Sequence, residues 1–307
     1  MKKDLLKLID WTKEEIIDIL NLGDQLKYEQ KHGIAHRHLE GKTLAMIFNK
    51  ASTRTRISFE VGIKQLGGSG LFLSSSDLQI GRGEPIQDTA RVLSRYVDGI
   101  MIRTYAQKEV EDLAQYAGIP IINGLTDDFH PCQVLADLMT IREFKTKLEG
   151  LKVAYIGDGN NMANSLMIGC LKVGINVAVA SPKGYMPKDK MVEIAKGFAK
   201  ESGSHLLITE NVAEAVKDAD VVITDVWASM GQEEEMKQRK LVFAGYQISE
   251  QVMKDAKDDA IVMHCLPAHR EEEITEQMLE KHANVIFEEA ENRLHVQKAI
   301  MVTLMKD

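Results

Sequence analysis

The chemistry-bearing residues of this chain gather in short clusters, each just after an apolar run. The densest is Lys50-Ala51-Ser52-Thr53-Arg54-Thr55-Arg56, following Thr-Leu-Ala-Met-Ile-Phe and leading into an amphipathic pattern. A hydroxyl-rich turn that opens a helix aims free backbone N–H groups and the positive end of the dipole at one spot. Ser52, Thr53 and Thr55 add hydroxyls, and Arg54 can grip a phosphate with two parallel bonds. The plain alternative is a helix N-cap flanked by solvated arginines. Phosphate binding is favoured because the turn sits at the carboxyl end of a strand, where such sheets bind ligands.

A second cluster is His130-Pro131-Cys132-Gln133. Pro131 suits a first helical turn and leaves His130 just outside it, able to donate to a ligand oxygen. Gln133 faces roughly the same way. Arg103 closes the run Gly-Ile-Met-Ile and shares that strand-end position. Alone, each has an ordinary reading as a cap or a packed residue.

Gly157-Asp158-Gly159-Asn160-Asn161 suggests a dinucleotide fingerprint, but Met162 stands where the third glycine belongs. The next strand runs into Ser181-Pro182 with no acidic ribose partner, which argues against a nicotinamide cofactor. What remains is a tight turn presenting Asn161. Asp225 begins Asp-Val-Trp-Ala-Ser229-Met230-Gly after Val-Val-Ile-Thr; it suits an ammonium group, or a turn acceptor. His264-Cys265-Leu266-Pro267-Ala268-His269-Arg270 follows Ala-Ile-Val-Met. Without a CxxC or H-x₃-H partner, and with a proline interrupting, zinc on His264, Cys265 and His269 is disfavoured. Spacing supports no nucleophile–histidine triad.

These turns need strands to hold them. Strand patterns are read at Thr43–Phe48, Gly70–Leu73, Gly99–Ile102, Pro120–Ile122, Lys152–Ile156, Asn176–Ala180, Val221–Thr224, Ile261–Met263 and Val285–Phe287, with helical patterns between most of them. That alternation predicts an α/β fold of two similar-sized, doubly wound domains with mainly parallel sheets. The rhythm restarts at Gly150, so the expected domains are 1–149 and 150–288, with a last helix over 289–307. The 307 residues suit two domains. Acidic side chains number 46 against 38 basic ones, a net charge of −8 that repels nucleic acid. No apolar run reaches membrane-span length. Asp4 and Asp10 interrupt any signal-like start. Cys132, Cys170 and Cys265 read as free thiols in a reducing, cytoplasmic setting. An acidic chain must build any anion site locally.

Taken together and in order, the clusters resemble the aspartate/ornithine carbamoyltransferase family, most closely its ornithine branch. Ser52-Thr53-Arg54-Thr55-Arg56 and His130-Pro131-Cys132-Gln133 resemble the family's carbamoyl phosphate motifs. Asp225 with Ser229-Met230-Gly231, His264-Cys265-Leu266-Pro267 and Phe287–His295 resemble those of the ornithine branch. The resemblance implies attack of the ornithine δ-amine on carbamoyl phosphate, in a cleft between the domains, without metal or organic cofactor. It implies that Ser52, Thr53, Arg54 and Thr55 hold phosphate, with Gln79 reaching in from a neighbour in a homotrimer. Arg103, His130 and Gln133, beside Pro131 and Cys132, would surround the carbamoyl group. Asn161, Asp225, Ser229 and Met230 would bind the ends of ornithine, and Cys265, Leu266 and Arg293 would close around the reacting centre. Arg103, His130 and Cys265 are the expected catalytic residues. Thr55, Arg103 and His130 are the candidate donors to the developing oxyanion.

The proton of the attacking amine has more than one possible destination: a neutral amine selected from solution, Cys265, or the departing phosphate. Glu271 stands where the family usually has glycine, which bears on the mobility of that loop. A carbamoyltransferase for another amine and a non-catalytic anion-binding protein are the competing readings. The intact Asp225-to-Gly231 motif weighs against the first, and the set of Arg103, His130 and Cys265 against the second.

Overall fold

The computed structural model describes residues 2–74, 78, 83–228 and 235–306. Gln79, Ser229 and Met230 lie outside the described residues. The chain forms two compact units, one of residues 1–136 with 291–307 and the other of 137–290. The division falls inside a helix, ahead of the Gly150 restart read from the sequence.

The first unit runs α1 (Lys13–Lys31), β1 (Thr43–Phe48), α2 (Thr53–Gln65), β2 (Ser69–Ser74), α3 (Ile86–Leu93), β3 (Gly99–Arg103), α4 (Gln107–Tyr116) and β4 (Ile121–Leu125). α5 (Pro131–Lys145) carries the chain onward. The second unit continues with β5 (Lys152–Ile156), α6 (Asn161–Lys172), β6 (Asn176–Ala180), α7 (Asp189–Ser202), β7 (Leu206–Thr209), α8 (Val212–Val216) and β8 (Val221–Thr224). Then come α9 (Met236–Val242), α10 (Glu250–Met253), β9 (Ile261–His264), α11 (Glu276–Lys281) and α12 (Ala283–Met305).

Both sheets are parallel throughout, and the inner strands β1, β3, β5, β6 and β8 are nearly continuous buried apolar runs. In the first unit the order is β2-β1-β3-β4; in the second it is β7-β6-β5-β8-β9. Each order reverses once, between β1 and β3 and between β5 and β8. At a reversal the crossovers leave toward opposite faces, and the loops part to leave a crevice at the carboxyl ends. The register brings those ends level. Phe48 pairs with Arg103, Ile156 with Thr224, and Thr224 with His264.

Two expectations are corrected. Val285–Phe287 is not a strand but part of α12, which begins at Ala283. Val285, Ile286 and Glu289 are buried while Asn284 and Phe287 are exposed, a helical spacing that a short apolar run conceals. The strand β7 was not anticipated; it is a four-residue edge strand, half-buried along its length.

The loop after β9 holds Glu271 at φ +65°, left-handed backbone that favours glycine. Its carboxylate compensates by accepting the Glu276 N–H at the start of α11, 2.8 Å away. The backbone N–H of Glu271 also bonds Ile274 O at 2.9 Å, so this segment is pinned. Glu271→Ala keeps the strained φ and loses the carboxylate, and should cost about 1 kcal/mol in urea unfolding. Glu271→Gly relieves the strain and should stay within about 0.5 kcal/mol of the parent.

Candidate active site

In the first unit, Ser52 caps α2: its hydroxyl oxygen accepts from Thr55 N at 3.3 Å and its hydroxyl donates to Thr55 Oγ1 at 3.1 Å. The turn carrying it is tied to its neighbours by long-range bonds. Asn49 Nδ2 donates to Thr104 Oγ1 at 2.7 Å, just past β3. The buried Lys50 Nζ reaches Asp127 after β4 at 2.5 Å and lies 4.2 Å from the Tyr105 ring centre. These ties set where Thr53 and Arg54 stand at the reversal between β1 and β3, beside Arg103 at the end of β3.

Pro131 opens α5 and leaves His130 ahead of it, as the sequence led one to expect. Arg293 from α12 joins these pieces: its Nη1 donates to Gln133 Oε1 at 2.6 Å and its Nη2 to Thr55 Oγ1 at 3.2 Å. Thr55, His130, Gln133 and Arg293 are all buried. The His130 imidazole is held well below the usual histidine range, first by burial and then by Arg293, Arg103 and Arg54. It is therefore a neutral ring at physiological pH, a hydrogen-bond donor and not a cation. Cys132 contributes no reactive sulfur. Its thiol donates to Asn123 O at 3.3 Å inside the core, and burial pushes it up to about 12.

In the second unit the first glycines prove structural. Gly157 has φ +155°, and a Cβ on Gly159 would meet Pro187 N at 2.1 Å, because its N–H bonds Tyr185 O at 2.7 Å. Both serve close backbone approach. Asn160 caps α6 by accepting from Met162 and Ala163 N–H, and Asn161 opens that helix. Asp158 binds Arg239 at 2.7 Å, and Arg239 also donates to Trp227 O at 2.9 Å. Burial nonetheless raises the Asp158 carboxyl.

Asp225 and Cys265, which follow registered positions of β8 and β9, are in contact. The Cys265 Sγ donates to Asp225 Oδ1 at 3.1 Å, and the same oxygen accepts from Val226 N at 2.8 Å. Burial, then the Asp225 and Glu289 carboxylates, push the Cys265 thiol well above its usual value. It is held as a donor, not as a thiolate. Leu266 is placed by His264: its N–H donates to His264 Nδ1 at 2.9 Å, while His264 N–H donates to Glu289 Oε2 at 2.9 Å.

Several residues that shape the site carry no local signal in the sequence. Arg239 and Glu289 act through partners far along the chain, Asp158 and His264, and Glu273 through the loop it belongs to. Tyr155 is another: its fully buried hydroxyl has no hydrogen-bond partner among the described residues, and burial with Asp225 and Asp158 nearby pushes it well up.

Comparison with known proteins also divides the chain in two, though at residues 143–149 and with the end of α12 assigned to the second part. Residues 3–143 match the model of the aspartate/ornithine carbamoyltransferase carbamoyl-P binding domain, and 149–304 that of the Asp/Orn binding domain. The chain is 60% identical over 303 residues to ornithine carbamoyltransferase of Anoxybacillus flavithermus, covering 99% of this chain and 96% of the relative. It is 56% identical to that of Bacillus subtilis, over 99% and 94% of the two chains. Among solved structures, ornithine carbamoyltransferase from Pyrococcus furiosus aligns at a TM-score of 0.96 with 55% identity, over 99% of this chain and 97% of the other. The anabolic enzyme of Campylobacter jejuni aligns at 0.93 with 46% identity, over 98% of each.

The buried histidines predict a pH dependence. His130 is held low, and His295 is lowered to about 4, mainly by burial. On acidification through 6.5 the unfolded chain takes up these protons and the folded chain does not. Stability should be full above 6.5 and fall below it, by up to about 1.4 kcal/mol per pH unit for each histidine. Urea unfolding at pH 7.0, 6.0 and 5.5 should show this slope, and a His130→Gln variant a shallower one. A flat profile would contradict the neutral imidazole.

Proposed function

The chain belongs to the aspartate/ornithine carbamoyltransferase family, and on that footing we propose that it transfers the carbamoyl group of carbamoyl phosphate to the δ-amino group of L-ornithine. The products are L-citrulline and phosphate. The observation that carries this reading is the first unit's set of three guanidiniums, Arg54, Arg103 and Arg293, acting on a His130 kept neutral. Such a set suits a ligand with a phosphate at one end and a planar carbonyl at the other.

Ser52, Thr53, Arg54 and Thr55 take the phosphate, at a helix start whose dipole favours anions. Arg103, His130 and Gln133 take the carbamoyl group, with Pro131 and Cys132 shaping the turn. Attack at the carbonyl carbon builds negative charge on its oxygen. Donors already aimed there lower the barrier without reorganising, so each is worth about 10²–10³ in rate. Arg293 holds Gln133 and Thr55 in place for this task. By the family resemblance, Asn161 and Asp225, with Ser229 and Met230, take the amino-acid end of ornithine, and Cys265 and Leu266 close around the reacting centre.

The attacking nitrogen must lose a proton, since an ammonium has no lone pair. A thiol held by Asp225 is a poor acceptor, which supports the departing phosphate as the base. Asp225 would then keep the Cys265 proton in place while its remaining charge faces the substrate's ammonium.

A homotrimer in the cytoplasm completes the proposal. The edge strand β2 exposes Leu71 and Phe72, and α2 exposes Ile57 and Val61, apolar side chains beside an unpaired strand edge that support contact with another copy of the chain. Gln79 lies outside the described residues, and its service to a neighbour's site rests on the family resemblance alone. The cysteines are free, as a reducing compartment requires. No helix among the described residues is long and apolar enough to cross a membrane.

Purified protein given carbamoyl phosphate and ornithine should form citrulline, with putrescine, aspartate and N-acetylornithine slower by orders of magnitude. Arg54→Ala should lower kcat/KM by about 10²–10³. Cys265→Ser preserves a donor to Asp225 and should keep kcat within about tenfold; a thiolate base would instead cost about 10² or more. Light scattering should give three copies per particle, and Leu71→Asp should reduce that number.

A further inference from the structure

The loop between β9 and α11 holds a buried carboxylate that the proposed reaction does not use. Glu273 is fully buried. Its Oε1 accepts from His264 Nε2 at 3.0 Å and from His269 N at 2.6 Å. Its Oε2 is buried too, has no hydrogen-bond partner among the described residues, and lies 3.9 Å from His269 Nδ1. A carboxylate oxygen out of water without a donor is costly unless a cation or an N–H faces it. His264 cannot turn to it, because both ring nitrogens are engaged, Nε2 with Glu273 Oε1 and Nδ1 with Leu266 N.

Beside this oxygen stand two further ligand types. His269, Glu272 and Glu273 each offer one donor atom, and the three atoms lie within 4.8 Å of one another. We propose that His269, Glu272 and Glu273 form a divalent metal site of the zinc class. Bonds of about 2.0–2.2 Å place neighbouring ligands roughly 3–3.5 Å apart, so a small inward movement of exposed side chains closes the set. One imidazole with two carboxylates suits zinc and its borderline neighbours, whereas calcium and magnesium prefer oxygen alone. The set differs from the His264, Cys265 and His269 grouping that the sequence disfavours, and it needs no sulfur.

The surrounding charges leave room for the ion. Arg270 is drawn away to Glu280 at 2.7 Å and Glu276 at 3.5 Å. Lys240 holds Glu272 Oε1 at 2.6 Å and is the one cation that competes directly among the contacts described. Occupancy has a route to the neighbouring chemistry. Metal on Glu273 Oε2 fixes the carboxylate whose other oxygen orients His264, and His264 in turn holds the Leu266 N–H. A metal-bound loop is therefore a stiffer support for Cys265 and Leu266.

The test is calorimetric titration of metal-stripped, full-length protein with Zn²⁺. One ion per chain should bind, while Mg²⁺ and Ca²⁺ should give no comparable heat. His269→Ala and Glu272→Gln, both changes at side chains that reach solvent, should weaken binding about tenfold or more; circular dichroism checks that each variant is folded. Cys265→Ser should bind as the parent does, and X-ray absorption should show nitrogen and oxygen ligands without sulfur. Absence of Zn²⁺ binding, parental affinity in His269→Ala, or loss of binding in Cys265→Ser would each overturn the proposal.

Discussion

Much of the proposed site takes its position from where each parallel sheet reverses its strand order. A parallel sheet covered on both faces offers ligands no access except at its strand ends. Among those ends, only the reversal parts two adjacent loops. The first unit reverses between β1 and β3, and there stand the Ser52–Thr55 turn and Arg103. The second reverses between β5 and β8, where Asn161 and Asp225 emerge, with Cys265 one strand further along. The register that levels Phe48 with Arg103, and Ile156 with Thr224 and His264, turns separated segments of sequence into neighbours. Topology thus supplies the places, and side chains supply the chemistry.

Electrostatics then divides the labour. The chain as a whole is acidic, yet the first unit brings Arg54, Arg103 and Arg293 to bear on one imidazole. Gathering like charges in a poorly hydrated place is unfavourable until an anion arrives, which supports the proposed phosphate site. The second unit does the converse. Asp225, Asp158, Glu273 and Glu289 make its strand ends acidic, and that field suits a substrate bearing ammonium groups while holding the Cys265 proton in place. Net charge said nothing of either. It bears on the exterior, where the acidic excess disfavours nucleic acid.

Much of this was legible in the residues themselves. Thr43–Phe48, Lys152–Ile156, Asn176–Ala180 and Val221–Thr224 were read to the residue, because buried parallel strands are short apolar runs bounded by polar turns. The motif turns followed from those strand ends. What escaped reading depended on partners distant in sequence. Nothing around Lys50 announces Asp127, nothing around Asp158 announces Arg239, and nothing around His264 announces Glu289. Val285–Phe287 shows the limit of local pattern: three apolar residues fit either period, and only the burial of Glu289 beside Val285 and Ile286 decides for a helix. The edge strand β7, half-buried and four residues long, gave too little contrast to stand out. Glu271 was visible as an anomaly, but its left-handed backbone and its bond to α11 were not.

The state of the thiols has a bearing on how the protein ages. Cys132 and Cys170 are fully buried, Cys265 is held by a carboxylate, and all are pushed toward the protonated form. Peroxides and electrophiles react with thiolates, so oxidation and alkylation find little purchase on these three cysteines. The contact that keeps Cys265 useful as a donor also keeps it chemically quiet.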